Sequence, residues 1–246
     1  MSQGANEAVP GDSPAYPMPR AWPTVVHLLA DAARRSPSAE ALVAGDDTLD
    51  YASYVACVSG LAAHLQGLGI GRGDRVAVLL RNGLDIAIAT FGVQAAGAQL
   101  VPLNPGYTAA ELGPILANAE CRAMLYDDSA AASLQTFAAA MPAGYAIRVG
   151  GNGLRLTSWR DEHDRVATLP LPHTDDLSTL QYTGGTTGVS KGVELTHRAV
   201  AVNVSQREAL LPTDRGPSAC WRSRRCSMCM RSRWACTWPP IARARW

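Results

Sequence analysis

A turn rich in glycine and threonine closes on a lysine in the stretch Tyr182-Thr183-Gly184-Gly185-Thr186-Thr187-Gly188-Val189-Ser190-Lys191-Gly192. A turn of this make-up can wrap backbone N–H groups, threonine hydroxyls and one ammonium around a polyphosphate. Glycine matters here because it lets the backbone approach an anion and adopt positive φ. The bland alternative is a Gly/Thr turn that binds nothing. The order is not that of the P-loop ending in Gly-Lys-Ser/Thr, because Ser190 precedes Lys191 and Gly192 follows it. The stretch reads as a nucleotide-phosphate loop.

Such a loop needs a strand to enter it and a strand or helix to leave it. Thr179 to Tyr182 supplies the entering strand and Gly192 to Leu195 the leaving one, with Thr196 capping a helix that begins at His197. Upstream, a helix opens at Trp22-Pro23 and runs to about Arg35, with Val25, Leu28, Leu29 and Ala32 as its apolar stripe. Ala41 to Ala44 and Thr48 to Asp50 read as a hairpin, followed by a helix from Tyr51 to Leu65. Strands at Arg75–Leu80, Gln99–Leu103, Ala123–Tyr126 and Ala146–Val149 alternate with helices at Leu84–Ala96, Thr108–Ala119 and Ala130–Ala140. Thr108 with Glu111 has capping-box spacing, while Gly113-Pro114 favours a kink in that helix. Repeated β-α-β units with nearly continuous apolar strands predict an α/β fold, its mostly parallel sheet flanked by helices. The polar segment from Gly150 to Pro172 reads as a surface connection.

The chain has 246 residues, 47% of them apolar and 17% charged, with a net charge of +1. This balance suits a soluble globular protein and points to no nucleic-acid or membrane partner. The sequence holds no run of apolar residues long enough to span a membrane, and no secretory signal is visible at Met1. A cytoplasmic setting follows as the expectation. Residues 1–21, with Pro10, Pro14, Pro17 and Pro19 among small polar residues, read as a disordered leader. The five histidines form no constellation; His197 suggests capping or packing. Cys57 and Cys121 suit buried, reduced thiols.

The order Tyr-Thr-Gly-Gly-Thr-Thr-Gly-x-x-Lys-Gly resembles the signature of adenylate-forming, AMP-binding enzymes. With Leu195-Thr196-His197-Arg198 it looks most like the long-chain fatty-acid–CoA ligases. Asn82-Gly83, Gly92 to Pro102, Leu103-Asn104-Pro105-Gly106-Tyr107-Thr108 and Glu111-Leu112 resemble the N-terminal subdomain of the same enzymes. The resemblance covers residues 22–215. One departure is Ser190, where the family usually has Pro or Ala before the lysine.

The resemblance implies attack of a fatty-acid carboxylate on the α-phosphate of magnesium-bound ATP, then displacement of AMP by CoA. Thr183, Thr186 and Thr187 would donate hydroxyls, Gly184, Gly185 and Gly188 would give backbone access, and Lys191 would pair with phosphate charge. Tyr182 is strand-end packing in this reading. The resemblance also implies peripheral contact with the inner face of a membrane as an option for a fatty-acid enzyme. The chain contains no Tyr-Gly-x-Thr-Glu segment for magnesium, no Thr-Gly-Asp segment for ribose and no small C-terminal domain with its lysine. No catalytic or metal-binding residue is therefore assigned, and the chain is expected to be an inactive fragment of the fold.

Residues 216–246 differ in kind. They carry seven arginines and no acid, a charge of +7 against −6 for the rest, with four cysteines and four tryptophans but no Leu or Val. The Cys226-Ser227-Met228-Cys229 spacing matches a zinc knuckle, and the arginines match a nucleic-acid patch. These give the alternative function, a non-catalytic nucleotide-binding or regulatory module with a metal- or nucleic-acid-binding tail. The other reading is translation out of frame. Every Cys or Trp codon begins with TG, so a frame starting one base earlier turns all eight into Leu, Val or Met. One such back-reading contains Pro-Leu-Phe-His-Val-Tyr, which resembles the next family motif.

Overall fold

The computed structural model describes residues 21–183, 190–210 and 244–245. At its centre is a six-stranded sheet made of β3 (Arg75–Leu79), β4 (Gln99–Pro102), β5 (Ala123–Tyr126), β6 (Ala146–Arg148), β7 (Leu177–Thr183) and β8 (Lys191–Thr196). The strand order is β6-β5-β3-β4-β7-β8, parallel throughout except for the antiparallel β7–β8 pair. A small hairpin of β1 (Glu40–Ala44) and β2 (Asp47–Asp50) lies apart, and β9 (Ala244–Arg245) adds to β1 in parallel.

Residue alternation along each strand divides the core in two. Val76, Val78, Leu100, Ala123, Leu125 and Ile147 point to one face, where α1 (Val25–Arg35), α2 (Tyr51–Gly67), α3 (Leu84–Ala95) and α6 (His197–Leu210) gather. Ala77, Leu79, Val101, Met124, Leu180 and Tyr182 point to the other, beneath α4 (Ala109–Ala119) and α5 (Ala131–Ala140). Period-two alternation with both phases apolar is what a sheet covered on both sides requires.

The predicted elements appear within a few residues of their expected bounds. The α1 stripe Val25, Leu28, Leu29 and Ala32 is buried, and Thr24 caps the helix by accepting from the His27 amide. The Thr108–Glu111 capping box is present in both directions. α4 runs through Pro114 as one helix; Ala110, whose carbonyl would have taken the missing amide proton, and Pro114 are both exposed, so water can serve that carbonyl. One expectation is corrected. The segment 150–172 is more than a surface connection. It forms two 3₁₀ turns, Leu156–Trp159 and His163–Val166, buries Leu156 completely and seats Trp159 against α2. Gly60 makes that possible, since a Cβ there would lie 2.4 Å from the Trp159 ring. No helix among the described residues is long and apolar enough to cross a membrane.

Candidate functional site

β7 is parallel to β4, so Thr183 ends at the carboxyl edge of the sheet, the edge at which open α/β sheets bind ligands. The chain returns as β8, and the last registered pair sets Thr183 opposite Lys191. The Thr183 hydroxyl donates to the Lys191 carbonyl at 3.4 Å, and both side chains are exposed. Thus the hairpin brings together the two ends of the predicted loop. Gly184, Gly185, Thr186, Thr187 and Gly188 lie outside the described residues.

Several contacts hold this hairpin. Gly192 is needed for space: a Cβ would come within 2.9 Å of Leu180 Cδ1 and 3.3 Å of Tyr182 Cζ. Tyr182 is buried, as strand-end packing requires, and its phenol donates to Asn118 Oδ1 at the end of α4, 2.6 Å away. Burial raises the phenol pKa, so the group stays a donor. Beneath the other face, the Gln94 amide donates to the Ser178 hydroxyl at 2.8 Å.

Arg75, at the start of β3, makes three bonds. Its Nε donates to Gln99 Oε1 at 2.9 Å, Nη1 to the Ala119 carbonyl at 3.1 Å and Nη2 to Glu194 Oε1 on β8 at 2.9 Å. A hollow of about 540 Å³ opens beside it, lined by Arg75, Asn118, Leu180, Gly192, Val193 and Glu194.

His197 is buried at the head of α6, and its ring nitrogens have no hydrogen-bond partner among the described residues. Burial lowers its pKa to about 4, against the opposing pull of the Asp176 carboxylate and with a small push from His27. The ring is therefore neutral at pH 7, a packing group as its position in the sequence suggested. Burial pushes the Cys57 and Cys121 thiols up to about 12, which makes both poor nucleophiles.

Composition holds a signal that the motif reading passed over. Lys191 is the only lysine in the chain; the other 21 basic side chains are arginines. An ammonium is a compact, mobile point charge, while guanidinium is a planar fork. A chain so uniformly arginine-rich that keeps one lysine at the loop's exit marks that position apart. Among the described residues, no group of three His, Cys, Asp or Glu side chains could hold a metal ion. The described donors, hydroxyl and ammonium, fit phosphate oxygens rather than a cation.

A mostly parallel sheet of this strand order, flanked by helices on both faces, defines an α/β domain. The AMP-binding enzyme family model matches residues 29–239, and the chain belongs to that family. It is 34% identical over 197 residues to an L-proline–[L-prolyl-carrier protein] ligase of Streptomyces coelicolor, covering 75% of this chain and 36% of the relative. A long-chain-fatty-acid–CoA ligase of Salmonella typhimurium is 30% identical over 231 residues, with 81% and 41% covered. Among solved structures, VinN with L-aspartate superposes with a TM-score of 0.66 at 26% identity, covering 80% of this chain and 50% of VinN. The N-terminal domain of FACL13 from Mycobacterium tuberculosis gives 0.58 at 30% identity, over 72% and 45%. The chain thus spans about two-fifths of the length of these two curated relatives.

Proposed function

We propose that this chain carries the phosphate-holding hairpin of an ATP-dependent, AMP-forming acid-activating ligase. The observation that supports it most directly is the pairing of Thr183 with Lys191 at the carboxyl edge of the sheet, in a member of the AMP-binding family. In this reading the Lys191 ammonium and the Thr183 hydroxyl meet the β- and γ-phosphates. As the acid's carboxylate attacks the α-phosphate, charge builds on the departing pyrophosphate, and a fixed cation there stabilises the transition state. Thr186, Thr187 and the amides of Gly184, Gly185 and Gly188 complete the cradle. Magnesium and CoA are implied by the family, and no residue of this chain is assigned to either.

The acid is a fatty acid in the first reading, from the likeness to the fatty-acid–CoA ligases. An amino acid is the second, favoured by the 34% identity to the prolyl-carrier-protein ligase. The chain alone is proposed to bind nucleotide without turning it over, and residues 216–246 are proposed to be read out of frame. DNA sequence across Leu211 to Cys220 checks the last point, and an uninterrupted frame in independent isolates rejects it. Calorimetric titration with magnesium-ATP tests the hairpin's role. Binding that weakens about tenfold or more in Lys191→Met is expected, as for loss of a charge-assisted bond to phosphate. Wild-type protein that fails to bind ATP, or Lys191→Met that binds equally well, overturns it.

A further inference from the structure

The β7–β8 hairpin is joined to the parallel sheet through one registered pair, Leu100 with Thr179. Among the described residues β8 pairs with β7 alone, and its Lys191–Glu194 half is exposed. Backbone pairing alone therefore leaves the outer strand to pivot about its partner. Two side-chain bridges on the α4 face oppose that motion: Tyr182 to Asn118, and Arg75 to Glu194. Only the second reaches β8, three residues from Lys191.

We infer that Arg75 and Glu194 are positioning residues for Lys191, a strut that sets where its ammonium stands at the phosphate loop. Arg75 suits the task because its other two bonds fix it on β4 and on the end of α4 before it reaches Glu194. A guanidinium so anchored transmits the position of the rigid sheet to the outer strand, which a lysine with its single point charge could not do. Glu194 and Lys191 lie on opposite sides of the strand, so the carboxylate does not compete with phosphate for the ammonium. The inference rests on the nucleotide reading for its purpose, though not for its geometry.

The single lysine makes the test specific. Reductive methylation of the whole chain with ¹³C-formaldehyde keeps the charge and gives one side-chain dimethylamine resonance, identified by its loss in Lys191→Arg. Glu194→Ala and Arg75→Met should shift and broaden that resonance in the unliganded protein. In the same variants, protection of Lys191 from an amine reagent by pyrophosphate should fall about fivefold, the scale of losing one partly exposed ion pair. Glu194→Gln keeps an acceptor at Oε1 and should recover most of both effects. Arg148→Met, which breaks the ion pair with Asp128 at the far edge of the sheet, should change neither. An unchanged Lys191 resonance in Glu194→Ala, an exposed site where folding is not at risk, overturns the strut. Absence of pyrophosphate protection in wild-type protein instead defeats the nucleotide reading, and the resonance alone then decides the strut.

Discussion

On one face of the sheet, α2 buries eleven of its seventeen residues and α3 ten of its twelve. On the other, α4 buries three of eleven and α5 one of ten. The first pair is a middle layer, covered by the sheet on one side and by α1 and the Leu156–Trp159 turn on the other. The second pair is an outer coat. Helices apolar nearly all round belong in a middle layer, and helices with one apolar stripe belong at a surface. The close packing of α2 on α3 also depends on glycine, because a Cβ on Gly92 would lie 2.6 Å from Leu61 Cδ2. That layer is built to a tighter tolerance than the coat.

Paired truncations can break this contrast. Leu61 in α2 and Leu134 in α5 are both fully buried leucines. Leu61→Ala should cost about 4 kcal/mol, because the surrounding layers cannot collapse into the space, and Leu134→Ala about 2.5 kcal/mol, because α5 can settle inward. Urea midpoints measure both. Equal losses would show that the coat is as rigid as the middle layer.

A smaller effect sharpens the contrast at the corner where α6 joins the thick face. The pKa of His197 in the fold, about 4, lies below the ordinary 6.5, so the unfolded chain takes up the proton first as pH falls. Stability from this group is undiminished above pH 6.5 and declines as pH falls toward 4, by on the order of 3 kcal/mol in total. Asp176, which favours the charged ring, and His27, which opposes it, set the residual balance. Thermal melts of His197→Gln across that range should show a shallower acid slope than wild type. An identical slope would assign the acid sensitivity to other groups.

Much of this architecture is visible in the residues themselves. Strand alternation, the Thr108–Glu111 box and the apolar stripe of α1 each follow from local periodicity. The Thr/Gly/Lys turn suggests a phosphate ligand from its residue types alone, and the structure adds the opposition of Thr183 and Lys191. What local pattern could not show is long-range. Leu156 and Trp159 sit in a segment with no helix or strand periodicity, so nothing near them in sequence reveals the glycine notch on α2 that receives the indole. The strut is equally hidden, since Arg75 and Glu194 are 119 residues apart.

The strand order carries a consequence for how the protein is made. β3, β4, β5 and β6 can assemble on one another as they leave the ribosome, each new strand joining a neighbour already made. β7 reverses direction across the sheet and must find the free edge of β4, 79 residues behind it at the Leu100–Thr179 contact. Closing so long a loop is slow compared with helix or hairpin formation. The hairpin that presents Lys191 is thus a late arrival in synthesis. Until it docks, β4 offers its edge to any other chain that reaches it first.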